Sequence, residues 1–389
     1  MFEILNYIFA GGIVFSHVIG YIVSIFAFLF IYKNWDTIKR DNIIICIVAF
    51  LVYGFVLACF CEYKKDSFEE MFTYLTSWLP PFILGYYITD NLKKEKTINI
   101  YIIVFTAVIA FSVLAYFGFF YEQIAGSRLA HRGKILNGLM WHISLGAMSI
   151  LLSCFSLIHL LFKKNLSNKQ KIILSALTVF FMVSLYLTSS RGYYIAGFIT
   201  YLSIFVFYFY KTRKLKIPII IFSLGLILVA VLFSNNEYMQ KRIENTSITK
   251  EKNLTDRIEG CKTALAIIKH YPFFGVGPRQ AVKQAEFYEI TKLSKEDNSR
   301  HLHSMYLNIF AEFGIIGFII FILMIFFIIK RLYLQYKQES SLLALCLLFA
   351  WMSLLIGDCF DTVLRGPRVA MDYFWLTGLI LASEKKLKE

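Results

Sequence analysis

Residues 298–330 read NSRHLHSMYLNIFAEFGIIGFIIFILMIFFIIK, a short cationic segment followed by a long apolar run. From position 305 the run is long enough to cross a bilayer as a helix, because about 20 apolar residues span the hydrocarbon core. Arg300, His301 and His303 stand just before the run. The stretch therefore predicts a transmembrane helix with cationic and proton-accepting side chains at its amino end.

The same apolar pattern recurs along the chain. Of the 389 residues, 58% are hydrophobic and only 17% are charged, a composition that excludes an ordinary soluble domain. Peptide groups have no water to bond in a bilayer core, so apolar runs of this length must form helices. The sequence predicts an all-α, polytopic transmembrane protein. The net charge of +14 does not indicate nucleic-acid binding, because the lysines lie mainly in short loops.

We predict about twelve transmembrane helices in three regions. Residues 1–234 hold helices 1–9, residues 235–304 form a small helical outer loop, and residues 305–389 hold helices 10–12 and a short tail. Residues 2–31 are interpreted as two short helices with a hairpin near 16–20, retained rather than cleaved as a signal peptide. The later spans are predicted at 42–60, 71–89, 98–120, 138–162, 172–188, 193–210, 217–234, 305–329, 341–357 and 369–383.

The distribution of Lys and Arg predicts the orientation and an anion site. Six short loops on one side hold 17 Lys and 3 Arg, so that side and both termini should be cytoplasmic. The other nine arginines fall on the outer side: Arg128, Arg132, Arg191, Arg242, Arg257, Arg279, Arg300, Arg365 and Arg368. Each could simply contact headgroups. Since a guanidinium binds phosphate or carboxylate through two donors, the group together favours an anion site.

Helix ends and one histidine refine this expectation. The spans starting at 193 and 305 both begin on the outer face, and helix amino ends attract anions. Arg191 and Arg300 lie beside these ends, and Arg365 and Arg368 precede the last span. His303 can accept a proton near neutral pH, because an imidazole has a free pKa of about 6.5. A metal site at His301 and His303 is a minor alternative, since no carboxylate cluster accompanies them.

These motifs resemble the O-antigen ligase family. His303-Ser304 is followed, after nine residues, by Gly314 and then Gly317, and the wider group's loop motif appears as Phe-Gly-Val-Gly-Pro at 274–278. The outer Arg-x-x-x-Leu turn of the family corresponds to Arg191, with Ile in the Leu place. Arg257 corresponds to the arginine that starts the loop helix; Cys261 stands where relatives often carry Trp. The matching motifs cover roughly residues 191–317.

The resemblance implies a GT-C-type glycosyltransferase on the periplasmic face of a Gram-negative inner membrane. Its donor would be a glycan on undecaprenyl diphosphate, and its acceptor a sugar hydroxyl of lipid A–core in lipopolysaccharide biosynthesis. His303 and Arg191 would be catalytic. The expected ligands of the diphosphate or glycan are Arg191, Arg257, Arg279, Arg300, Arg365 and Arg368. We expect inversion at the anomeric carbon, with no cofactor and no metal.

Three other functions remain open. An O-antigen polymerase would use the same donor, and an O-linked protein glycosyltransferase would share much of the architecture. A transporter of lipid-linked oligosaccharide should carry charges near the bilayer midplane. Here the chief charge within a span is Glu312, within about two turns of the predicted helix start, which favours a surface site.

Overall fold

A computed structural model of the chain describes residues 2–13, 18–23, 26, 40–117, 136, 141–214, 216–234, 240, 252–283 and 302–382. Its named elements are α1 (Phe2–Gly12), α2 (Asn42–Phe60), α3 (Lys64–Tyr86), α4 (Asn91–Tyr116), α5 (His142–Phe162), α6 (Asn168–Leu187), α7 (Arg191–Thr212), α8 (Lys216–Ser234), α9 (Lys252–His270), α10 (Met305–Glu339), α11 (Leu342–Gly357), a 3-10 turn (Val363–Arg365) and α12 (Pro367–Leu381). The prediction of an all-helical membrane protein is confirmed.

Each of the ten spans predicted after residue 41 overlaps one of these helices over most of its length. By length and apolar composition, α2, α4, α5, α6, α7 and α10 could each cross a membrane, and α8 and α11 contain shorter apolar helices. At 1.5 Å per residue, the 11-residue α1 is only about 16 Å long. Within the region predicted as the N-terminal helix pair, residues 14–17, 24, 25 and 27–31 lie outside the described residues, so the count of twelve stays a prediction.

Several helices extend beyond their predicted bounds, and α3 and α10 illustrate how charged and polar residues continue a helix past its apolar part. α3 begins at Lys64 rather than 71, and its first two turns carry Asp66, Glu69 and Glu70. Those carboxylates are paired with Lys283, Arg279 and Arg365, so the helix continues past its apolar part. α10 continues ten residues past 329, and this extension holds polar side chains that can lie outside the bilayer.

Contacts between helix ends define two faces of the bundle. The loop face holds α9 and residues 187–191, 302–305 and 357–367, where Met305 N donates to Asp358 O at 2.9 Å. The lysine face is the opposite end, where Gln335 Nε2 donates to Ile380 O at 2.8 Å and Lys163 Nζ lies 3.8 Å from Glu95 Oε1. These contacts join ends that the sequence predicted to share a side. Which face is periplasmic stays a prediction.

The core of the bundle is formed by α3, α5 and α12. In α5, 89% of the most apolar 18 residues are buried. α3 and α12 approach so closely that a Cβ on Gly85 would lie 2.5 Å from Leu379 N. Such close approach is typical of small residues between membrane helices. Both helices reach the loop face at their amino ends, where Glu70 near the start of α3 pairs with Arg365 just before α12.

Candidate functional site

Arg191 is the first residue of α7 and follows a tight, buried turn. Ser189 in this turn has a left-handed backbone with φ 56°, and Ser190 precedes the helix without a side-chain cap. Two contacts hold the turn: Leu136 N donates to Leu187 O at 2.8 Å, and His142 Nδ1 lies 3.1 Å from Thr188 O. The turn places Arg191, half-buried, at the loop face beside the uncapped amino end of α7.

Residues 357–361, which we call the Asp358 turn, form the centre of the loop face. The buried carboxylate of Asp358 accepts from Val363 N at 2.8 Å and from Leu364 N at 3.2 Å. These bonds fold the chain into the 3-10 turn. Burial raises the pKa of the Asp358 carboxyl, while the two peptide N–H groups act in the opposite direction. On one side the turn packs against α7, because a Cβ on Gly192 would lie 2.8 Å from Phe360 Cβ.

His303 lies directly before α10 in a strained conformation. Its φ of 56° is left-handed, which is uncommon for a residue other than glycine. The backbone on each side is held: Leu302 N donates to Asn308 Oδ1 at 3.3 Å, and Met305 N donates to the carbonyls of Asp358 and Asp361, both at 2.9 Å. The Asp358 turn therefore also sets the position of the His303 segment.

Arg257 joins the same turn from α9. Its guanidinium donates to Phe360 O, and its Nη2 lies 3.4 Å from Asp361 Oδ2. One turn later a Cβ on Gly260 would lie 3.2 Å from Leu302 O, so α9 packs on the segment that carries His303. Three predicted site residues, Arg191, Arg257 and His303, thus border the Asp358 turn.

The other predicted arginines lie elsewhere or outside the described residues. Arg279, with a left-handed φ of 59°, donates to Glu69 Oε2 at 2.9 Å at the start of α3. Arg365 is buried inside the bundle between Glu70 and Glu312. Arg368 is half-buried in the first turn of α12. Positions 300 and 301, like 128 and 132, lie outside the described residues. The predicted cluster is therefore divided: the described contacts of Arg279 and Arg365 belong to a second group around α3.

The two glycine motifs meet at a break in α10. Gly314 has φ 63° and ψ −170°, which interrupts the helix. The loop at 272–277 occupies the break: Ile315 N donates to Pro272 O at 2.8 Å, and Gly277 N donates to Glu312 O at 2.8 Å. Val276 N likewise donates to Ala311 O at 3.0 Å. Non-helical backbone at this depth requires such partners, and each motif supplies them to the other.

A cavity of about 350 Å³ opens where this loop meets α2. Residues 274–277 form one wall, and Tyr53, Leu57 and Phe60 contribute to the other. The lining is mainly apolar, so the cavity differs from the arginine-lined pocket that the sequence predicted. In the part of the chain that the structure describes, no group of three His, Cys, Asp or Glu side chains could hold a metal ion.

Sequence reasoning missed three acidic residues that organise the loop face, Glu70, Asp358 and Asp361, and it gave Glu312 no structural role. From the sequence, Glu312 is predicted only as a charge within a span. Asp358 and Asp361 both lie in the segment DCFDTVLRGPR. A buried carboxylate requires a donor or a cation. Searching for acids near the predicted outer arginines could therefore have indicated this network, although not the pairs themselves.

The fold and the site together define a multi-pass helical membrane protein with a polar, cationic site at one end of its bundle. Residues 175–322 match the family model described as O-antigen ligase. This segment includes Arg191, Arg257, His303 and both glycine motifs, and its match supports the O-antigen ligase family. The resemblance seen in the sequence is thereby confirmed. No curated protein matches the chain. The family indicates a glycosyltransferase-like ligase or polymerase of lipopolysaccharide biosynthesis.

Proposed function

We propose that the chain is an O-antigen ligase. It transfers a glycan from undecaprenyl diphosphate to a sugar hydroxyl of lipid A–core at the periplasmic face of the inner membrane. The main support is that Arg191, Arg257 and His303 border one turn at one end of the bundle. Two guanidinium groups and one imidazole can supply what transfer from a diphosphate donor uses, an anion site beside a base.

In the proposed reaction His303 acts as the general base. It takes the proton of the acceptor hydroxyl as that oxygen bonds to the anomeric carbon of the donor sugar. The bond from that carbon to the diphosphate oxygen breaks, and its electron pair leaves with undecaprenyl diphosphate. Because the oxygen attacks opposite the leaving group, the anomeric configuration inverts. His303 then releases its proton to solvent, which restores the base.

Arg191 and Arg257 stabilise the charge that grows on the leaving diphosphate. This electrostatic contribution is often the largest single term in catalysis. Arg191 adds its charge to the positive end of the α7 dipole, which favours the same anion. Arg257 contacts Asp361 only at 3.4 Å and is partly exposed, so a diphosphate can replace that pair at modest cost. Arg279, Arg300 and Arg368 remain predicted ligands. Each would bind the glycan or diphosphate of the donor, or the anionic lipid A–core acceptor.

The test is transfer by purified protein from a glycan on undecaprenyl diphosphate to lipid A–core. We expect His303→Gln and Arg191→Gln each to lower kcat by about 100-fold or more. Arg213→Gln is the matched control, because Arg213 is exposed on the lysine face. Full activity of His303→Gln would refute the assignment of the base. Activity should persist in EDTA; loss that magnesium restores would contradict a metal-independent mechanism.

The product distinguishes the ligase from the polymerase. A ligase leaves glycan on lipid A–core, whereas a polymerase leaves a longer glycan on the lipid carrier. The family match includes both reactions, so only the linkage in the product separates them. Glycan found solely on undecaprenyl diphosphate would overturn the ligase assignment while leaving the donor and the base in place.

A further inference from the structure

A network of buried charged side chains lies inside the bundle beneath the loop face. We call it the charged ladder, and it consists of Arg365, Glu70 and Glu312. Arg365 leaves the 3-10 turn and points inward, and it is only 8% exposed. Its Nε donates to Glu70 on α3, and its Nη1 lies 3.6 Å from Glu312 Oε1 on α10. Two carboxylates therefore share one guanidinium. A buried charge is tolerated only when it is paired, so Arg365 is engaged within the protein.

Glu312 connects this ladder to the break in α10. Its side chain is fully buried, and it stands two residues before Gly314. Its backbone carbonyl accepts from Gly277 N, so the same residue holds the 272–277 loop and the guanidinium. Arg365 thus links the 3-10 turn to the point where α10 is interrupted.

Asn308 continues the connection from Glu312 to the His303 segment. It lies four residues before Glu312, which places both buried side chains on one side of the helix. Its Oδ1 accepts from Leu302 N at 3.3 Å, directly before His303. Asn308 is itself fully buried, so few alternative orientations are open to its amide.

The opposite end of the His303 segment is fixed by the same region. Met305 N donates to the carbonyls of Asp358 and Asp361. The Asp358 carboxylate folds the 3-10 turn that carries Arg365. The left-handed conformation of His303 is therefore held from both sides by elements that Arg365 joins. A strained backbone of this kind persists only where its surroundings determine it.

We propose that Arg365, Glu312 and Asn308 are positioning residues for His303, and that Arg365 acts from inside the bundle rather than by contacting the donor diphosphate. The inference rests on the proposed role of His303 as the base. It assigns Arg365 differently from the sequence-based expectation of a diphosphate ligand. It also gives a function to Glu312, which the proposed reaction does not otherwise use.

A charge-compensation series tests the proposal. Arg365→Met leaves Glu70 and Glu312 without their cation, and we expect kcat to fall by about 100-fold with a smaller change in the KM for donor. Adding Glu70→Gln and Glu312→Gln removes the uncompensated charge. Because a neutral core can replace a buried ion network, the triple variant should recover at least about 10-fold of the lost kcat.

Two outcomes would overturn the proposal. If Arg365→Met mainly raises the KM for donor and leaves kcat nearly unchanged, the guanidinium itself binds donor. If Arg365→Met is fully active, no positioning role exists. Should Arg365→Met fail to fold, the triple variant is assayed in its place, because it has no uncompensated buried charge. A kcat equal to that of wild-type protein would then show that Arg365 and Glu312 have no positioning role.

A matched pair on the lysine face separates positioning from general stability. Arg331 pairs with the buried Asp41 there, far from His303. Arg331→Met combined with Asp41→Asn should change the melting temperature without changing kcat. The melting temperatures of the ladder variants need no substrate. If wild-type protein transfers no glycan, the proposed function fails. The melting temperatures of the single and triple variants would still show whether Arg365, Glu70 and Glu312 stabilise the protein together.

Discussion

The conformation of His303 depends on residues that are distant in sequence. Its left-handed backbone is held by Asn308 on one side and by the carbonyls of the Asp358 turn on the other. An imidazole on a well-ordered turn can keep one orientation toward an acceptor hydroxyl, and such order is what a general base requires. The carboxylate of Asp358 determines the turn, so its hydrogen bonds can be tested directly.

We predict that Asp358→Asn destabilises the protein by about 1–3 kcal/mol. The carboxylate accepts from Val363 N and Leu364 N through its two oxygens, whereas an amide has only one acceptor and would present N–H to a peptide N–H. Thermal unfolding in detergent measures the loss. Asp66→Asn is the comparison, because Asp66 is partly exposed and should matter less. Equal effects for both variants would contradict this account.

The sequence predicts individual site residues only where the side chain is suited to bind an anion or to accept a proton. His303, Arg191 and Arg257 were all selected as site residues, and the structure brings them to one turn. Arg365 was selected on the same reasoning, yet it lies buried against Glu70, which is 295 positions away in sequence. Local sequence does not reveal which outer arginine has an internal partner, because that depends on how α3 packs against α12.

The break in α10 explains why the two glycine motifs occur together. Gly314 and Gly275 both have positive φ, and each lies against the backbone of the other segment. A Cβ on Gly275 would come within 2.5 Å of the Glu312 carbonyl carbon, and one on Gly314 would overlap the carbonyl of Phe273. The separation of His303 from Gly314 therefore sets how far the break lies from the proposed base.

We predict that Gly314→Ala destabilises the protein by about 3 kcal/mol or more and abolishes transfer. Alanine would strain the backbone and collide with a peptide group that cannot move away. The matched control is Gly11→Ala in α1, where a Cβ meets open space and alanine favours the helix. Melting temperature and glycan transfer are measured for both. Wild-type behaviour of Gly314→Ala would show that the break is dispensable.

Helices were predicted closely where apolar length decided their bounds. Residues 42–60 were predicted and observed without change, because the run ends at charged or polar residues on both sides. α3 was predicted to start at 71 because Asp66, Glu69 and Glu70 look like loop residues. Their partners come from the 279–283 region and from Arg365, so only tertiary pairing shows that the helix continues.

At the scale of the whole molecule, two distant parts of the chain meet at the loop face. The family match ends at residue 322, yet the Asp358 turn and Arg365 lie beyond it. These later residues pack against α7, α9 and the start of α10 within the matched segment. The last two helices are therefore required to complete the proposed site, although they contribute none of its three principal side chains.

The orientation of the molecule can be tested through Cys359, an exposed thiol in the Asp358 turn. If the loop face is periplasmic, a membrane-impermeant maleimide should label Cys359 in cells whose outer membrane has been permeabilised. In a background where Cys59 and Cys261 are replaced by Ser, the label should disappear in Cys359→Ser. When Lys214→Cys on the exposed lysine face is added to that Cys359→Ser protein, it should be labelled only after the inner membrane is opened. The reverse pattern would place the loop face in the cytoplasm, where it could not meet a periplasmic acceptor. Because Cys359 precedes Phe360, which Arg257 contacts, bound donor should also slow its labelling.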